Sequence, residues 1–486
     1  MANRNASFIL TEPNFPPDVL EIMDALIESG YEAYVIGGAP RDLLRLKTPK
    51  DYDIFTDASG EQIVNMCVKR DGWSTSVIGD EDRQAKLLTI IVNGIEVSSY
   101  RANGDRTEIG GTLESHCATA DFTINAMAMD RSGQVFDFHN GVRDLGASGV
   151  IHFGCDPLDK VIIKAVGKAE DRIAEDPLRI LRAVRFMAKY NAEMDTELKV
   201  AISKVKIMNV KTSRVGAELE KIFAYENGFE ALWKTGVLFM EEVIPEFTPQ
   251  IDMSKEDGGK YHNETPMEHN NQVFKTAWRN TDNIEELMKA VLHDIGKGKA
   301  LTYKEDGAHF YNHEHIGSMM IPEIMGKWNY FPKKMINRIS ICVRYHIFGL
   351  NSQPRKHKII ALFRELELND IDIDDFIFLY YCDYQGNLKS PRMKYHDYLR
   401  SPEDTGKLFG PKLRKMYYEF KAEGIPFHTK DLNVNGNDLL IEGLSGPQVG
   451  KALEDILDAV ISGAKPNDKV ILREYIRKKA VKWLNE

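Results

Sequence analysis

Apolar residues at Val19, Leu20, Ile22, Met23, Leu26 and Ile27 recur with a helical period, and Gly30 follows them. That spacing predicts an amphipathic helix over 15–30 with one buried face. The pattern then shortens. AYVIGG (33–38) reads as a buried strand, RDLLRL (41–46) as a short helix and DYDIF (51–55) as a second strand, with a further helix near 60–70. KLLTIIVNGIEVSSY (86–100) sets two apolar strands either side of Asn93-Gly94, a pair suited to the tight turn whose twist matches a hairpin. These elements predict an α/β head ending near VFDFHNGVRDL (135–145).

Beyond residue 156 the helical period takes over, most clearly in EDPLRILRAVRFMAKY (175–190) and TSRVGAELEKIFAYENGFEALWKTG (212–236). Asp176 is placed to cap the first of these, with Pro177 in its opening turn. The polar stretch IDMSKEDGGKYHN (251–263) reads as a linker or exposed loop, followed by histidine-bearing helices and a charged helical tail. The expected organisation is a head over 1–150, a helical neck over 151–250, a histidine-bearing helical domain over 251–400 and a tail over 401–486. The fold class is α+β: a small α/β head followed by all-helical domains.

Composition narrows the setting. The chain has 486 residues and a net charge of −10, which argues against coating nucleic acid along its whole surface, because such binding rests on phosphate neutralisation. Local basic tracks remain, at Arg179, Arg182, Arg185 and Lys189 and over 473–482. No apolar run nears the roughly 20 residues needed to span a bilayer, and the N-terminus lacks the apolar core of a secretory signal. Cys67, Cys117, Cys155, Cys342 and Cys382 are scattered, as expected of a reduced, cytoplasmic protein without a disulfide framework. No membrane contact is expected.

The run VIGGAPRDLLRLKTPKDYDIFT (35–56) concentrates the chemistry. In an extended strand alternate side chains share a face, so Asp51 and Asp53 are expected to project together. Carboxylates that close repel unless a divalent cation neutralises them. Gly37 and Gly38 let bare N–H groups approach phosphates just before a helix whose positive end favours anions. Arg41 is a permanent cation able to grip a triphosphate through paired bonds, and Asp42 is expected to bind sugar or orient Arg41. Glu96, on the face of its strand shared with Ser98 and Tyr100, either adds a third carboxylate or is an exposed strand residue. Glycines, arginine and paired acids imply nucleotidyl transfer, with Mg2+ activating the attacking hydroxyl and stabilising the departing pyrophosphate.

Those residues resemble the signature of the class II tRNA nucleotidyltransferase and poly(A) polymerase superfamily. ADFTINAMAMD (120–130) is similar to its second motif, FDFHNGVRDL (136–145) to its flexible loop and EDPLRILRAVRF (175–186) to its base-reading helix. LNVNGNDLLIEGLSGPQVGKALEDIL (432–457) resembles the tail segment of bacterial CCA-adding enzymes. The resemblance implies Asp51 and Asp53 as the catalytic, magnesium-holding carboxylates, with Glu96 the candidate third catalytic residue on its strand face. It implies nucleotide contacts from Gly37, Gly38, Arg41, Asp42, Asp121 and Asn125, and a base template in Glu175, Asp176 and Arg179, with Arg182 one turn on. Carboxylate oxygens accept and guanidinium groups donate, so such a set matches the complementary edges of C or A. The implied reaction transfers CMP and AMP from CTP and ATP to the tRNA 3′ end, with the tail and central helices reading the acceptor arm by shape and phosphate contacts. One departure stands out. The family has two arginines directly before the DFTINA segment, where this chain has Thr119-Ala120; Arg101, Arg106 or Arg131 is the expected compensation.

VLHDIGKG (291–298), NHEHIGS (312–318) and CDYQGN (382–387) resemble elements of HD phosphohydrolases. The resemblance implies a one-metal set in His269, His293, Asp294 and Asp383, with His313 and His346 supporting a second metal or gripping phosphate, and His315 competing for the His313 role. Imidazole and carboxylate together suit manganese, nickel, cobalt, iron or magnesium. Lys297 and Lys299 are candidate phosphate contacts. Trimming or repair of 2′,3′-cyclic or terminal phosphates is the implied chemistry. A poly(A) polymerase or A-adding enzyme shares the same head, and a protein-modifying uridylyltransferase with an HD domain is the rival from another class.

Overall fold

Eight strands build one mixed sheet, and their order decides where the head's chemistry falls. They are β1 (Ala6–Ile9), β2 (Tyr34–Ile36), β3 (Ile54–Thr56), β4 (Thr75–Ile78), β5 (Thr89–Val92), β6 (Ile95–Ser99), β7 (Met127–Met129) and β8 (Gln134–Asp137). The sheet runs β1-β8-β7-β2-β3-β6-β5-β4; β3 and β6 are parallel and the other pairs antiparallel. This computed structural model describes residues 6–9, 14–78, 89–101, 110–146, 160–207, 210–254, 264–305, 307–350, 354–401 and 409–485. Cys155, Arg106 and most of the polar stretch 251–263 lie outside the described residues. The chain divides into two compact units, Met1–Val243 and Ile244–Glu486.

Local expectations hold where a single element suffices. The first helix spans Pro17–Glu28 and buries Val19, Ile22, Met23 and Leu26, while Gly30 takes the positive φ that stops it. Ile27 is 45% exposed, so the apolar face is narrower than the spacing suggests. Asn93 and Gly94 both adopt positive φ in the hairpin turn between β5 and β6, the conformation such a two-residue loop requires. Ser59 and Gln62 close a reciprocal cap on the helix Gly60–Val68.

Three expectations are corrected. Asp51 and Asp53 precede β3, which opens at Ile54, so they lie in the approach to the strand. The segment 136–145 is no loose loop: Asp137 accepts the N–H groups of His139, Gly141 and Val142 and starts a helical turn. Gly141 is needed there, because a Cβ would lie 2.2 Å from the Thr123 carbonyl oxygen. The helical remainder also carries two small pairings, β9 (Ile162–Ile163) with β10 (Glu193–Met194), and the hairpin of β11 (Leu301–Lys304) with β12 (Gly307–Phe310).

In the first unit, helix Arg179–Tyr190 packs on Thr212–Phe223 and Gly228–Lys234, burying Ile180, Leu181, Ala183 and Val184. In the second, helices Pro266–Trp278, Ile284–Leu292, His313–Gly326, Lys333–Tyr345 and Ile373–Gly386 bury Phe274, Val291, Ile321, Ile339 and Phe376. A separate small core gathers Leu439, Leu444, Ile456, Leu472 and Trp483. Among the described residues no helix is long and apolar enough to cross a membrane.

The head's core includes a buried histidine. His116 packs against Phe55 and Tyr100, and its Nδ1 accepts the backbone N–H of Arg101 at 3.2 Å. Burial, helped by the Arg101 charge, pushes its pKa down to about 4. A neutral folded imidazole stabilises the head above the unfolded value of about 6.5, and this contribution is lost as pH falls toward about 4. Denaturant unfolding at stepped pH is expected to show a shallower acid-side loss in His116→Asn than in the parent, by about 3 kcal/mol across that window.

Candidate active site

The ends of β7, β2 and β3 meet because the three strands are antiparallel neighbours. The N–H of Ile36 donates to the carbonyl of Asp53 at 3.2 Å, and that of Gly37 to Met127 at 3.3 Å. The turn after β2, the approach to β3 and the 3-10 turn Thr123–Asn125 before β7 therefore share one end of the sheet. Gly37, with φ of 88°, swings the chain from β2 into the helix Gly38–Leu44. Glu96 lies one residue before the parallel partner of Ile54, level with Asp53 on the neighbouring strand.

Asp53 is half-buried, and Asp51 and Glu96 are exposed. Burial, then the charges of Glu96 and Asp51, push the Asp53 carboxyl up to about 6. No cation pairs with these three acids among the described residues. The acids are coupled through space, yet among the described residues the donor trios close enough for one ion are both in the second unit.

Behind the acids lies an open cavity of about 520 Å³, lined by six arginines (41, 101, 179, 182, 185 and 214) and three aspartates (53, 121 and 176). Arg41 is 6% exposed. Its Nε donates to Asp42 at 3.1 Å, an Nη donates to Asn125, and Phe186 and Tyr190 cover its guanidinium. Asp42 also accepts from Tyr190 at 3.1 Å and from Lys189 at 3.4 Å. Burial alone would raise the Asp42 carboxyl, but Arg41, Lys189 and Tyr190 hold it below the usual range.

Asn125 continues the chain. Its Nδ2 donates to Asp121 at 2.8 Å, whose other oxygen accepts Arg182 Nε at 2.7 Å. Burial opposes the Asp121 carboxylate, and Arg182, Asn125 and the Phe122 N–H outweigh it and keep its pKa low. Arg182 is held above its ordinary value, because the Asp121 charge outweighs burial. Arg41, Asn125, Asp121 and Arg182 thus form one continuous hydrogen-bonded line from the helix after β2 to helix Arg179–Tyr190.

Helix Ala169–Glu175 ends just before Asp176, and Arg179 opens the next helix after a turn through Pro177 and Leu178. Asp176 accepts the Leu178 N–H at 3.2 Å, acting as the cap of that turn. Arg179 Nη1 donates to Glu175 at 2.7 Å and to the Arg172 carbonyl at 2.6 Å. Asp176 pairs with Arg214 at 3.0 Å.

Of the residues singled out in the sequence, Gly37, Gly38, Arg41, Asp53, Asp121, Asn125, Asp176, Arg179 and Arg182 line this cavity. Asp42 and Glu175 stand behind Arg41 and Arg179 as their partners; Asp51 and Glu96 do not line it. Arg101 lines it beside Thr119 and Ala120, where the two arginines are missing, whereas Arg131 pairs with Asp24 elsewhere. Arg214 was not foreseen: it opens the helix Thr212–Phe223, and nothing nearby in the chain signals its reach to Asp176.

In the second unit a histidine centre assembles from four helices and the turn after Leu292. His269 comes from helix Pro266–Trp278, His313 from the start of His313–Gly326, His346 from the end of Lys333–Tyr345, and Asp383 from Ile373–Gly386. His293 and Asp294 follow helix Ile284–Leu292. His269, His293 and Asp383 form one close donor trio, and Asp294, His313 and His346 another. Nδ1 of His293, His313 and His346 lies 2.9, 2.9 and 2.7 Å from the carbonyls of Ala290, Phe310 and Val343. Each carbonyl takes the single N–H of a neutral ring and leaves Nε2 bare toward the centre. Two supports lie outside the sequence expectations: Glu264, fully buried 3.5 Å from His269 Nδ1, and Gln250, which donates to the Asp294 carbonyl at 3.0 Å. Gly296 lets the turn press on His313, since a Cβ would meet the His313 carbonyl oxygen at 2.0 Å. His315 is not in either trio.

Several known proteins are similar to this chain. Residues 33–151 match the poly A polymerase head domain. The chain is 27% identical over 475 residues to the CCA-adding enzyme of Bacillus subtilis, covering 94% of this chain and 97% of that protein. It is 33% identical over 240 residues to the CCA-adding enzyme of Oceanobacillus iheyensis, covering 46% of this chain and 54% of that one. The fold resembles the crystal structure of the Bacillus stearothermophilus CCA-adding enzyme in complex with CTP, with a TM-score of 0.57 and 19% identity over 97% of this chain and all of that one. The poly A polymerase head is therefore the family of residues 33–151, carried on a chain homologous to CCA-adding enzymes over most of its length.

Proposed function

We propose that this chain is a tRNA nucleotidyltransferase that builds the CCA end, transferring CMP and AMP from CTP and ATP to the tRNA 3′ terminus. One observation carries the reading: the line from Arg41 through Asn125 and Asp121 to Arg182 joins the candidate triphosphate grip to the candidate base-reading helix within one arginine-lined cavity. An acidic chain that places six arginines around one hollow has built a polyanion site against its own net charge.

The head acids suit a divalent ion, because three coupled carboxylates lack a protein cation among the described residues. Held by Asp51 and Asp53 with Glu96 beside them, magnesium supplies charge neutralisation for the attacking 3′-hydroxyl and the departing pyrophosphate. Arg41, fixed by Asp42 and Asn125, meets the triphosphate without reorganising. Glu175, Asp176 and Arg179 present acceptors and donors to the base edge, with Arg101 standing in for charge lost at Thr119 and Ala120. Head (1–150), neck (151–250) and tail (401–486) divide catalysis, base choice and acceptor-arm binding in a cytoplasmic setting.

We read the histidine centre, within 251–400, as a metal-dependent phosphohydrolase acting on 2′,3′-cyclic or terminal phosphates. Inward-facing Nε2 atoms beside Asp294 and Asp383 support that reading, since imidazole and carboxylate donors suit manganese, nickel, cobalt, iron or magnesium.

With CTP and ATP supplied separately and together to tRNA lacking its CCA, the parent is expected to add C, C and A in order. ATP-only extension would instead mark an A-adding enzyme. Asp51→Asn combined with Asp53→Asn should lower incorporation about 1,000-fold or more while nucleotide binding persists; surviving extension would overturn the mechanism. Asn125→Ala frees Arg41 and should raise the nucleotide KM about tenfold with a smaller change in kcat. Apparent Mg2+ affinity should fall about tenfold per pH unit below about 6 as Asp53 takes up its proton, measured by metal titration of extension rate.

A further inference from the structure

We infer that Arg172 is a positioning residue for base choice, acting through Glu175 and Arg179; this rests on the transferase reading of the same cavity. Arg172 does not line the cavity, whereas Arg179, Thr119 and Ala120 do. It stands behind them with its side chain 15% exposed. All three of its guanidinium nitrogens are committed. Nε donates to the Val166 carbonyl at 3.1 Å, Nη2 to the Ala118 carbonyl at 3.0 Å and Nη1 to Glu175 Oε2 at 3.1 Å. The Arg172 carbonyl, in the last turn of helix Ala169–Glu175, accepts Arg179 Nη1 at 2.6 Å. That same Nη1 donates to Glu175 Oε2 at 2.7 Å. Arg172, Glu175 and Arg179 therefore close a ring of hydrogen bonds in which one carboxylate oxygen serves two guanidinium groups.

The ring is anchored on backbone, and the anchors belong to segments that are themselves joined. The Val166 N–H donates to the Asp121 carbonyl at 3.3 Å, and Phe122 pairs with Ala165. Arg172 thus mounts Glu175 on the segment that carries Thr119, Ala120 and Asp121, where the chain has no positive side chain of its own. A planar guanidinium fixed at two carbonyls makes a rigid mount, because its donors diverge in set directions. Glu175 alone makes a poor one, with its side chain 52% exposed and free to rotate. Without Arg172, Glu175 and Arg179 would be left as a surface-exposed ion pair of loose geometry. Only Nη1 of Arg179 is used in the ring, so Nε and Nη2 remain for a base edge. Their direction decides which base they match, since a base with misplaced acceptors strands them. A lysine at 172 would keep the charge but replace the fork with a rotating ammonium.

Base choice is the readout, measured with full-length chain on tRNA lacking its CCA and on tRNA lacking only the final A. In Arg172→Gln the kcat/KM preference for CTP over UTP, and for ATP over GTP, is expected to fall about tenfold. The loss should sit in KM for the correct nucleotide, with kcat held within about twofold. Arg172→Lys should recover part of it. Glu175→Gln should lower the same ratios, and the double variant should be no worse than the worse single, because both act through one ring. Circular dichroism checks each fold; if Arg172→Gln does not fold, Arg172→Lys and its double with Glu175→Gln carry the same comparison. An equal fall in kcat for all four nucleotides, with the ratios unchanged, marks a purely structural residue and overturns the role. So do ratios that multiply in the double variant. A parent that adds CCA beside an equally selective Arg172→Gln overturns the positioning role alone, whereas a parent that adds no nucleotide overturns the transferase reading as well.

Discussion

Asp121 has almost no water to turn to, so its charge must be answered by the protein. It is 6% exposed and accepts from the Phe122 N–H, Asn125 and Arg182. Removing one partner of such a buried pair typically costs about 3–5 kcal/mol, because the remaining charge is stranded. That penalty ties the 3-10 turn before β7 to helix Arg179–Tyr190. Asn125 can face two ways only because its amide has a donor end for Asp121 and an acceptor end for Arg41. Asp121, two links away, therefore helps Asp42 set the orientation of Arg41.

Charge is distributed on the same logic throughout the first unit. Arginines that line the cavity are held by carboxylates behind them: Arg41 by Asp42, Arg179 by Glu175, Arg185 by Glu218, which is itself buried and shared with Lys221. Each such pair fixes a guanidinium and leaves further N–H donors for an anion. The head acids are the opposite case. Burial, then the charges of Glu96 and Asp51, raise Asp53, and no cation pairs with these acids among the described residues, the pattern that supports the divalent ion proposed there.

The histidine centre depends on backbone as much as on side chains. Three carbonyls orient three imidazoles, Gln250 holds the Asp294 carbonyl, and Gly296 permits a close approach that any Cβ would block. Second-layer bonds of this kind fix both ring orientation and tautomer, and so which nitrogens are bare.

The elements whose signals are local could be read directly from the chain: the amphipathic first helix, the Asn93-Gly94 hairpin, and the motifs placing Gly37, Arg41, Asp121, Asp176 and Arg179. Their residues and neighbours lie within a few positions, so periodicity, turn chemistry and motif spacing carry the information. Asp51 and Asp53 show the limit of alternation, since the strand that was expected to display them begins only at Ile54. The line from Arg41 to Arg182, the Arg214 contact and the Glu264 and Gln250 supports had no such signal. Apart from the short Asn125–Asp121 and Glu264–His269 steps, these contacts join residues from 38 to 84 positions apart, and no spacing rule spans them; strand order and helix packing bring them within bonding distance.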